Sequence, residues 1–289
     1  MPVRQNIPDG RAAEPRTRGP RSWTPVAVHL AVLALVYLLA VWTPVGQRTE
    51  NALNYSDEGG APALVYDVSG HYGAVAAIPP LNTAALPTLL AGLALVAVVA
   101  VVRKRWWAGT LAVATVLVPV GAARIGKRVL PRPDLVDAPV FHVEPSFPSG
   151  HVAIPVALTL AAVLVVPARA RGPVAAAGAV WTAFTVAAVL ATYQHRLSDV
   201  LGATLLACAV ALAAALLLPG RSTAARMPVG RSFLVVTATL AVVAAVVGGA
   251  RTDSLAESVL FAATGLLCAA LTWCAARRVT GSGAVSSSA

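Results

Sequence analysis

Charged side chains are scarce in this sequence. Asp, Glu, Lys and Arg together make up 12% of the 289 residues, whereas hydrophobic residues make up 57%. Soluble domains carry roughly 25% charged residues. With a mean hydropathy of +0.74, this composition excludes an ordinary soluble protein and predicts an integral membrane protein.

Neither a cysteine pairing pattern nor a signal-peptide cleavage site is recognisable. The three cysteines, Cys208, Cys268 and Cys274, all lie in apolar segments, so we interpret them as buried small hydrophobic residues rather than disulfide partners. The first apolar segment follows about 23 mostly polar residues and ends in VWTPVGQ, without a small-residue cleavage site. It is therefore predicted to be a retained helix and not a signal peptide.

Long apolar runs are abundant, and the bilayer requires about 20 such residues per helical span. Eight segments qualify, at about 24–43, 84–102, 106–123, 149–167, 173–193, 199–218, 232–249 and 255–276. Polar or Pro/Gly breaks separate them, and seven or nine spans would also fit. The sequence predicts an all-α polytopic bundle at 24–278, between tails 1–23 and 279–289 that are predicted to be disordered.

Acidic residues avoid one side of this arrangement. With the N-terminus inside, fifteen of the 22 basic residues lie on the inner side, and only Asp9 and Glu14 of the 12 acidic residues join them. The positive-inside rule then predicts a multi-pass cell-membrane protein with both termini cytoplasmic. No basic patch interleaved with aromatic residues accompanies the net charge of +10, so nucleic acid is not an expected partner.

The outer side nevertheless carries one basic cluster. Four cationic residues crowd into RIGKRVLPR at 124–132. Lipid-headgroup anchoring is one explanation of such a cluster. A bound anion explains it better, because this side otherwise has few positive charges.

The stretch PSFPSGH at 145–151 supplies a second feature of an anion site. Ser149 is a good helix N-cap, Gly150 permits a close backbone approach, and His151 lies on the first turn of the following span. The free N–H groups and positive dipole of a helix N-terminus hold phosphate well. A plain N-cap with an interfacial histidine is the alternative.

A second histidine lies in HRLSD at 195–199. His195 and Asp199 are four residues apart, so at a helix start they share a face and can hydrogen-bond. A carboxylate on one imidazole nitrogen fixes the tautomer and makes the other nitrogen a better nucleophile. The alternative is a structural His–Asp pair.

Together these pieces resemble the type 2 phosphatidic acid phosphatase (PAP2) superfamily, membrane lipid phosphatases that share their site with vanadium haloperoxidases. PSGH at 148–151 matches the family's second motif, HRLSD matches the His-x3-Asp part of the third, and KRVLPRP at 127–133 resembles the first. The resemblance covers about residues 84–218.

The sequence departs from the family pattern at two places. The family's first motif is Lys-x6-Arg-Pro, but Lys127 precedes Arg132 by only five positions, and Arg124 or Arg128 would replace the lysine in another register. In the third motif the family has an arginine six residues before the histidine, where this chain has Val189. Arg196 is the nearest replacement.

The resemblance implies metal-independent hydrolysis of a lipid phosphate or diphosphate on the extracytoplasmic face, without a cofactor. His195 would attack phosphorus, oriented by Asp199, and His151 would protonate the leaving group. The phosphoryl group would be bound by Lys127, Arg132, Ser149, Gly150 and Arg196.

Three other functions remain open. A relative that binds or moves lipid phosphates without turnover fits the missing arginine. A transporter fits less well, because its site would call for polar residues within the spans. A metal site of His142, Glu144 and His151 is disfavoured because no second motif accompanies it.

Overall fold

The computed structural model describes residues 22–53, 80–219, 227, 229–251 and 253–280. Residues 1–21 and 281–289 of the predicted tails, and residues 54–79 of the connection between the first two apolar segments, which include His71, lie outside these residues. The described chain is built from helices, which are α1 (Thr24–Val41), α2 (Pro44–Ala52), a 3₁₀ turn (Asn82–Ala84), α3 (Ala85–Val102), α4 (Trp106–Val129), α5 (Val140–Val143), α6 (Gly150–Val165), α7 (Ala168–Ala191), α8 (Leu197–Leu217), α9 (Arg231–Gly249) and α10 (Leu255–Thr280).

All eight predicted apolar segments are helical, so the polytopic helical bundle is confirmed. Seven helices of the described chain are long and apolar enough to cross a membrane. The remaining segment, predicted at 149–167, is α6. It has only 16 residues and is about 24 Å long at 1.5 Å per residue. It is shorter than the predicted span because Ser149 is its N-cap and because Pro167 ends it after Val165.

Helices α6, α7 and α8 form the buried centre of the bundle, and small residues let their neighbours approach closely. A Cβ atom at Gly178 of α7 would lie 2.1 Å from the Thr159 side chain of α6, and one at Gly265 of α10 would lie 2.5 Å from the Ala183 carbonyl oxygen. Such close packing drives helix association in lipid, where the hydrophobic effect is absent.

The outer helices turn large apolar side chains away from this centre. Exposed Leu and Val residues line α1, α3 and α9, as expected for surfaces that face lipid. Cys208 and Cys268 are buried as predicted, but the prediction was wrong for Cys274, whose side chain is exposed on the outer face of α10.

The connections separate into two ends of the bundle. At one end, Arg103 donates to the Val165 carbonyl oxygen at 2.8 Å and Trp107 donates to the Leu217 carbonyl oxygen at 3.2 Å. At the other end, residues 130–149 contact the start of α8. The basic cluster, PSFPSGH and HRLSD therefore meet at one end, which we call the site end.

Two connections at the site end contain helix beyond the bounds of the predicted apolar segments. Residues 44–52 fold as helix α2, which Pro44 begins and the Thr43 hydroxyl caps by accepting a hydrogen bond from the Gly46 amide. Helix α4 continues past its predicted end at 123 to Val129. Lys127 therefore lies on the last turn of a helix, near the mouth of the site.

Candidate active site

The loop that carries PSFPSGH is fixed by the ring of Phe147. A Cβ atom at Gly202 of α8 would lie 2.4 Å from that ring, and one at Gly126 of α4 would lie 2.9 Å from Pro148 Cδ. The Tyr37 ring of α1 covers Phe147 with a centroid distance of 5.1 Å. Two glycines thus create the space in which the loop binds between α4 and α8.

Beyond Phe147, the chain turns into α6 at Ser149. The Ser149 hydroxyl is fully buried and accepts a hydrogen bond from the Val152 amide at 3.3 Å, which is the predicted N-cap. The Ser149 amide donates to the Asp199 carbonyl oxygen at 3.0 Å. This bond joins the second sequence motif directly to the third.

Open space lies over Gly150. A Cβ atom built there would meet no atom within 4 Å. The backbone at the start of α6 is therefore accessible to a ligand, and the free amides of this helix end favour an anion there.

His195 lies between Asp199 and His151. Its Nδ1 atom is 3.3 Å from Asp199 Oδ2, and its Nε2 atom is 3.1 Å from His151 Nδ1. The two imidazole rings meet edge to face, with centroids 5.3 Å apart. The hydrogen bond expected from the four-residue spacing is present. The structure adds His151, so that Asp199, His195 and His151 form a hydrogen-bonded series, which we call the relay.

The tautomers of this relay follow from Asp199. A carboxylate accepts, so His195 Nδ1 carries a hydrogen and Nε2 is left with a lone pair. His151 Nδ1 must then donate to that lone pair. Asp199 Oδ2 also accepts from the Arg196 amide at 3.0 Å, which fixes the carboxylate on the first turn of α8.

Lys127 is exposed on the last turn of α4, close enough for its charge to act on His151. An exposed ammonium beside an open helix N-terminus is a suitable partner for a phosphoryl oxygen.

Arg132 and Arg196 lie behind Asp199 instead, where both are buried. Arg132 donates to Glu50 Oε2 at 3.2 Å, to Asn51 Oδ1 at 3.3 Å and to the His142 carbonyl oxygen at 3.0 Å. To contact a substrate, Arg132 would have to share or leave these acceptors, so its predicted role in phosphate binding stays a prediction.

The Arg196 guanidinium holds the loop that precedes Ser149. It donates to the His142 carbonyl oxygen at 2.8 Å, to the Glu144 carbonyl oxygen at 3.2 Å and to the Ser146 hydroxyl at 2.5 Å. Its Nε atom is buried without a hydrogen-bond partner among the described residues. The expected phosphate contact of Arg196 therefore also stays a prediction.

Sequence analysis missed the contribution of α2. The Gln47 amide donates to the Val41 and Pro133 carbonyl oxygens at 2.7 and 2.6 Å, and its oxygen accepts from the Leu135 amide at 3.1 Å. Glu50 reaches across to α8. The only signal was a polar run, QRTENALN, directly after the first span.

The alternative metal site is not assembled. Within the described ranges, no three His, Cys, Asp or Glu side chains lie together as a group that could hold a metal ion. His142 faces the arginines, whereas His151 faces His195, so the two lie on opposite sides of Asp199.

Comparison with known proteins identifies the family. Residues 89–223 match the model of the PAP2 superfamily. This match supports membership of the PAP2 superfamily. No curated protein and no solved structure matches it.

The PAP2 match runs from within α3 past the end of α8 and so contains His151, His195 and Asp199. PAP2 proteins are generally phosphatases, and membership supports activity on a phosphate ester. Helix α2 lies outside the matched residues. At the position where the PAP2 resemblance calls for the third-motif arginine, Val189 is fully buried, and its carbonyl oxygen accepts from the Gln194 and His195 amides.

Proposed function

We propose that this protein hydrolyses a lipid phosphate or diphosphate without a metal ion, through a phosphohistidine on His195. The observation that carries the proposal is the relay from Asp199 through His195 to His151, with heavy-atom distances of 3.3 and 3.1 Å. It gives one imidazole nitrogen the lone pair of a nucleophile and places a proton on the neighbouring imidazole.

In the first step, the His195 Nε2 lone pair forms a bond to phosphorus while the bond from phosphorus to the leaving oxygen breaks. In-line displacement puts that oxygen on the far side of phosphorus from Nε2. His151, protonated on both ring nitrogens when the substrate is bound, must therefore exchange its hydrogen bond with His195 for one with the leaving oxygen. It gives its Nδ1 proton to that oxygen and becomes a neutral imidazole. The proton on Nδ1 stays with His195, where Asp199 stabilises the positive charge of the phosphohistidine.

In the second step, water attacks phosphorus and gives a proton to His151. The bond from phosphorus to Nε2 breaks, and the electron pair returns to the imidazole. Lys127, the Ser149 hydroxyl and the Gly150 amide would stabilise the phosphoryl oxygens in both steps. Arg132 and Arg196 could join them only by sharing their present acceptors.

A lipid is the substrate class that suits this setting. The relay lies at the end of an apolar bundle whose outer helices face lipid, and Tyr37, Leu130 and Phe147 line a small cavity next to Asp199. A phosphate attached to a polyprenyl or acyl chain would reach the site from the bilayer. The charge asymmetry of the sequence favours the extracytoplasmic face.

The test is phosphate release by the purified full chain from a panel of polyprenyl diphosphates and phosphatidic acid, with a chelator present. We expect turnover by the wild type and none by His195→Ala, because water does not replace the nucleophile at a comparable rate. Labelled substrate should leave an acid-labile phosphate on the protein in the wild type alone.

His29→Ala is the matched control. His29 lies on the second turn of α1 and contacts the Pro25 carbonyl oxygen at 2.7 Å, at the end of the bundle opposite the relay, so its loss should leave turnover unchanged. Turnover that survives in His195→Ala, or that requires a divalent ion, would contradict the mechanism.

A shortage of cations facing the relay favours a second function. With Val189 in place of an arginine, and with Arg132 and Arg196 bonded to the protein, Lys127 faces the relay with less help than the family pattern provides. Such a site could bind lipid phosphates without turnover. Saturable binding by both the wild type and His195→Ala, with no phosphate release by either, would establish that function instead.

A further inference from the structure

Glu50 of α2 connects two motifs that are far apart in sequence. Its carboxylate is buried, with 5% of the side chain exposed. One oxygen accepts from the Arg132 guanidinium at 3.2 Å, and the other accepts from the Ser198 amide at 2.9 Å. The first partner belongs to the first motif, and the second lies within HRLSD.

The Ser198 amide is one of the free N–H groups on the first turn of α8. The next residue is Asp199, which orients His195. A carboxylate is well placed at a helix N-terminus, because it satisfies a free amide and opposes the positive end of the helix dipole. Glu50 thus fixes the first turn of α8, which carries Asp199, the residue that orients His195.

The other oxygen of Glu50 acts through Arg132 on the loop before Ser149. Arg132 and Arg196 both donate to the His142 carbonyl oxygen, at 3.0 and 2.8 Å. Without a carboxylate nearby, two buried guanidinium groups on one carbonyl would repel each other. Glu50 pairs directly with Arg132 and, together with Asp199, supplies negative charge that lets both remain there.

We propose that Glu50 is a positioning residue, which aligns His195 by fixing the first turn of α8 and the Arg132 guanidinium together. The proposal rests on the proposed function for its kinetic effect, but its structural effect on His195 does not depend on turnover. It assigns α2, outside the PAP2 match, a direct part in the geometry of the site.

Glu50→Gln tests the proposal, because it keeps the size of the side chain and an oxygen that can accept from Ser198 while removing the charge. We expect kcat to fall by about 10²-fold, the order expected when a catalytic group is misplaced by about 1 Å, with KM changed less than threefold. Glu50→Asp, which keeps the charge but shortens the reach, should recover part of kcat.

Asp137→Asn is the matched control. It removes the same charge from an exposed position at the site end, and its backbone has a positive φ of 53° that asparagine tolerates. It should leave kcat, KM and the melting temperature unchanged. An equal loss of kcat in Asp137→Asn would mean that net charge at this end, and not Glu50, is responsible.

A second measurement works even if the wild type has no turnover. In protein with ¹⁵N-labelled histidine, the His195 resonances are identified by their loss in His195→Gln. We expect a fixed tautomer with hydrogen on Nδ1 in the wild type and in Asp137→Asn, and a mixture of tautomers in Glu50→Gln. Absent turnover with this spectral change would reject the proposed function and keep the positioning role.

Three results would overturn the positioning role. One is an unchanged His195 spectrum with unchanged kcat in Glu50→Gln. Another is a rise in KM alone, which would make Glu50 a determinant of substrate binding. The last is a lower melting temperature with normal kcat per folded molecule, which would make Glu50 a stabilising residue only.

Discussion

Two arginine-centred clusters lie on either side of the HRLSD segment, and they manage buried charge differently. The inner cluster consists of Glu50, Arg132, the His142 carbonyl and Arg196. The outer cluster consists of Tyr193, Arg251, Asp253 and Glu257. In the outer cluster, Arg251 lies 4.3 Å from the Tyr193 ring centroid and donates to the Ala191 carbonyl oxygen at 2.7 Å.

The two clusters differ in the balance and exposure of their charges. In the inner cluster, Glu50 is ion-paired with Arg132, and the buried Arg196 feels the charges of Asp199 and Glu50. The outer cluster pairs one arginine with two carboxylates, those of Asp253 at 3.0 Å and Glu257 at 3.2 Å, which are 35% and 21% exposed. If the arginine is lost, water can solvate the carboxylates of the outer cluster but not the buried carboxylate of Glu50, so the inner cluster depends more strongly on its arginine.

The largest expected effect is on stability at Arg132. Arg132→Gln leaves the Glu50 carboxylate buried without its cation, which typically costs about 3–5 kcal/mol. The same change in the outer cluster, Arg251→Gln, should cost less because Asp253 and Glu257 can turn to water. Thermal unfolding of both variants in the same detergent measures the difference, and equal losses would show that burial does not separate the clusters.

A smaller effect is expected at Tyr193. Its hydroxyl donates to Glu257 Oε2 at 3.3 Å, and burial, the main cause, raises its pKa to about 12, so it remains a neutral donor at physiological pH. Tyr193→Phe removes this one hydrogen bond and should cost about 0.5–1.5 kcal/mol, with kcat unchanged. A large loss of kcat would tie the outer cluster to the relay.

The smallest expected effect is on the pH dependence of stability and concerns His142. Burial lowers the pKa of His142 below its ordinary value, and the nearby charges of Arg196 and Arg132 lower it further. The folded protein then binds fewer protons here than the unfolded chain, so stability falls as the pH drops through the ordinary histidine range near about 6.5. His142→Gln should lose part of this acid sensitivity in melting curves between pH 7.5 and about 5, compared with the wild type; an identical slope would contradict it.

The inner cluster also contains contacts that could not be predicted from the sequence. The helical bundle followed from apolar run lengths, and the His195–Asp199 hydrogen bond from a four-residue spacing, because both are local properties of the chain. Glu50 is 82 residues from Arg132 and 148 from Ser198. No local pattern encodes such pairs, which depend on how α1 and α2 pack against the rest of the bundle.

The same limit explains the placement of the arginines. Charge and spacing indicated an anion site but not which cations would face it. Lys127 faces the relay because α4 continues to Val129 and carries it there. Arg132 follows the end of that helix, where the chain turns towards α2, and its guanidinium donates to the Glu50 carboxylate.

The position of the Phe147 ring between α4 and α8 constrains the loop that leads to Ser149 and Gly150. Gly126 and Gly202 leave room for its ring and for Pro148 but not for an added methyl group on either helix. A substitution that enlarges either glycine must therefore displace Phe147 or Pro148, or move the helix that carries the glycine. Because Ser149 and Gly150 follow directly in the chain, such a displacement would reach the place where a phosphoryl group is proposed to bind.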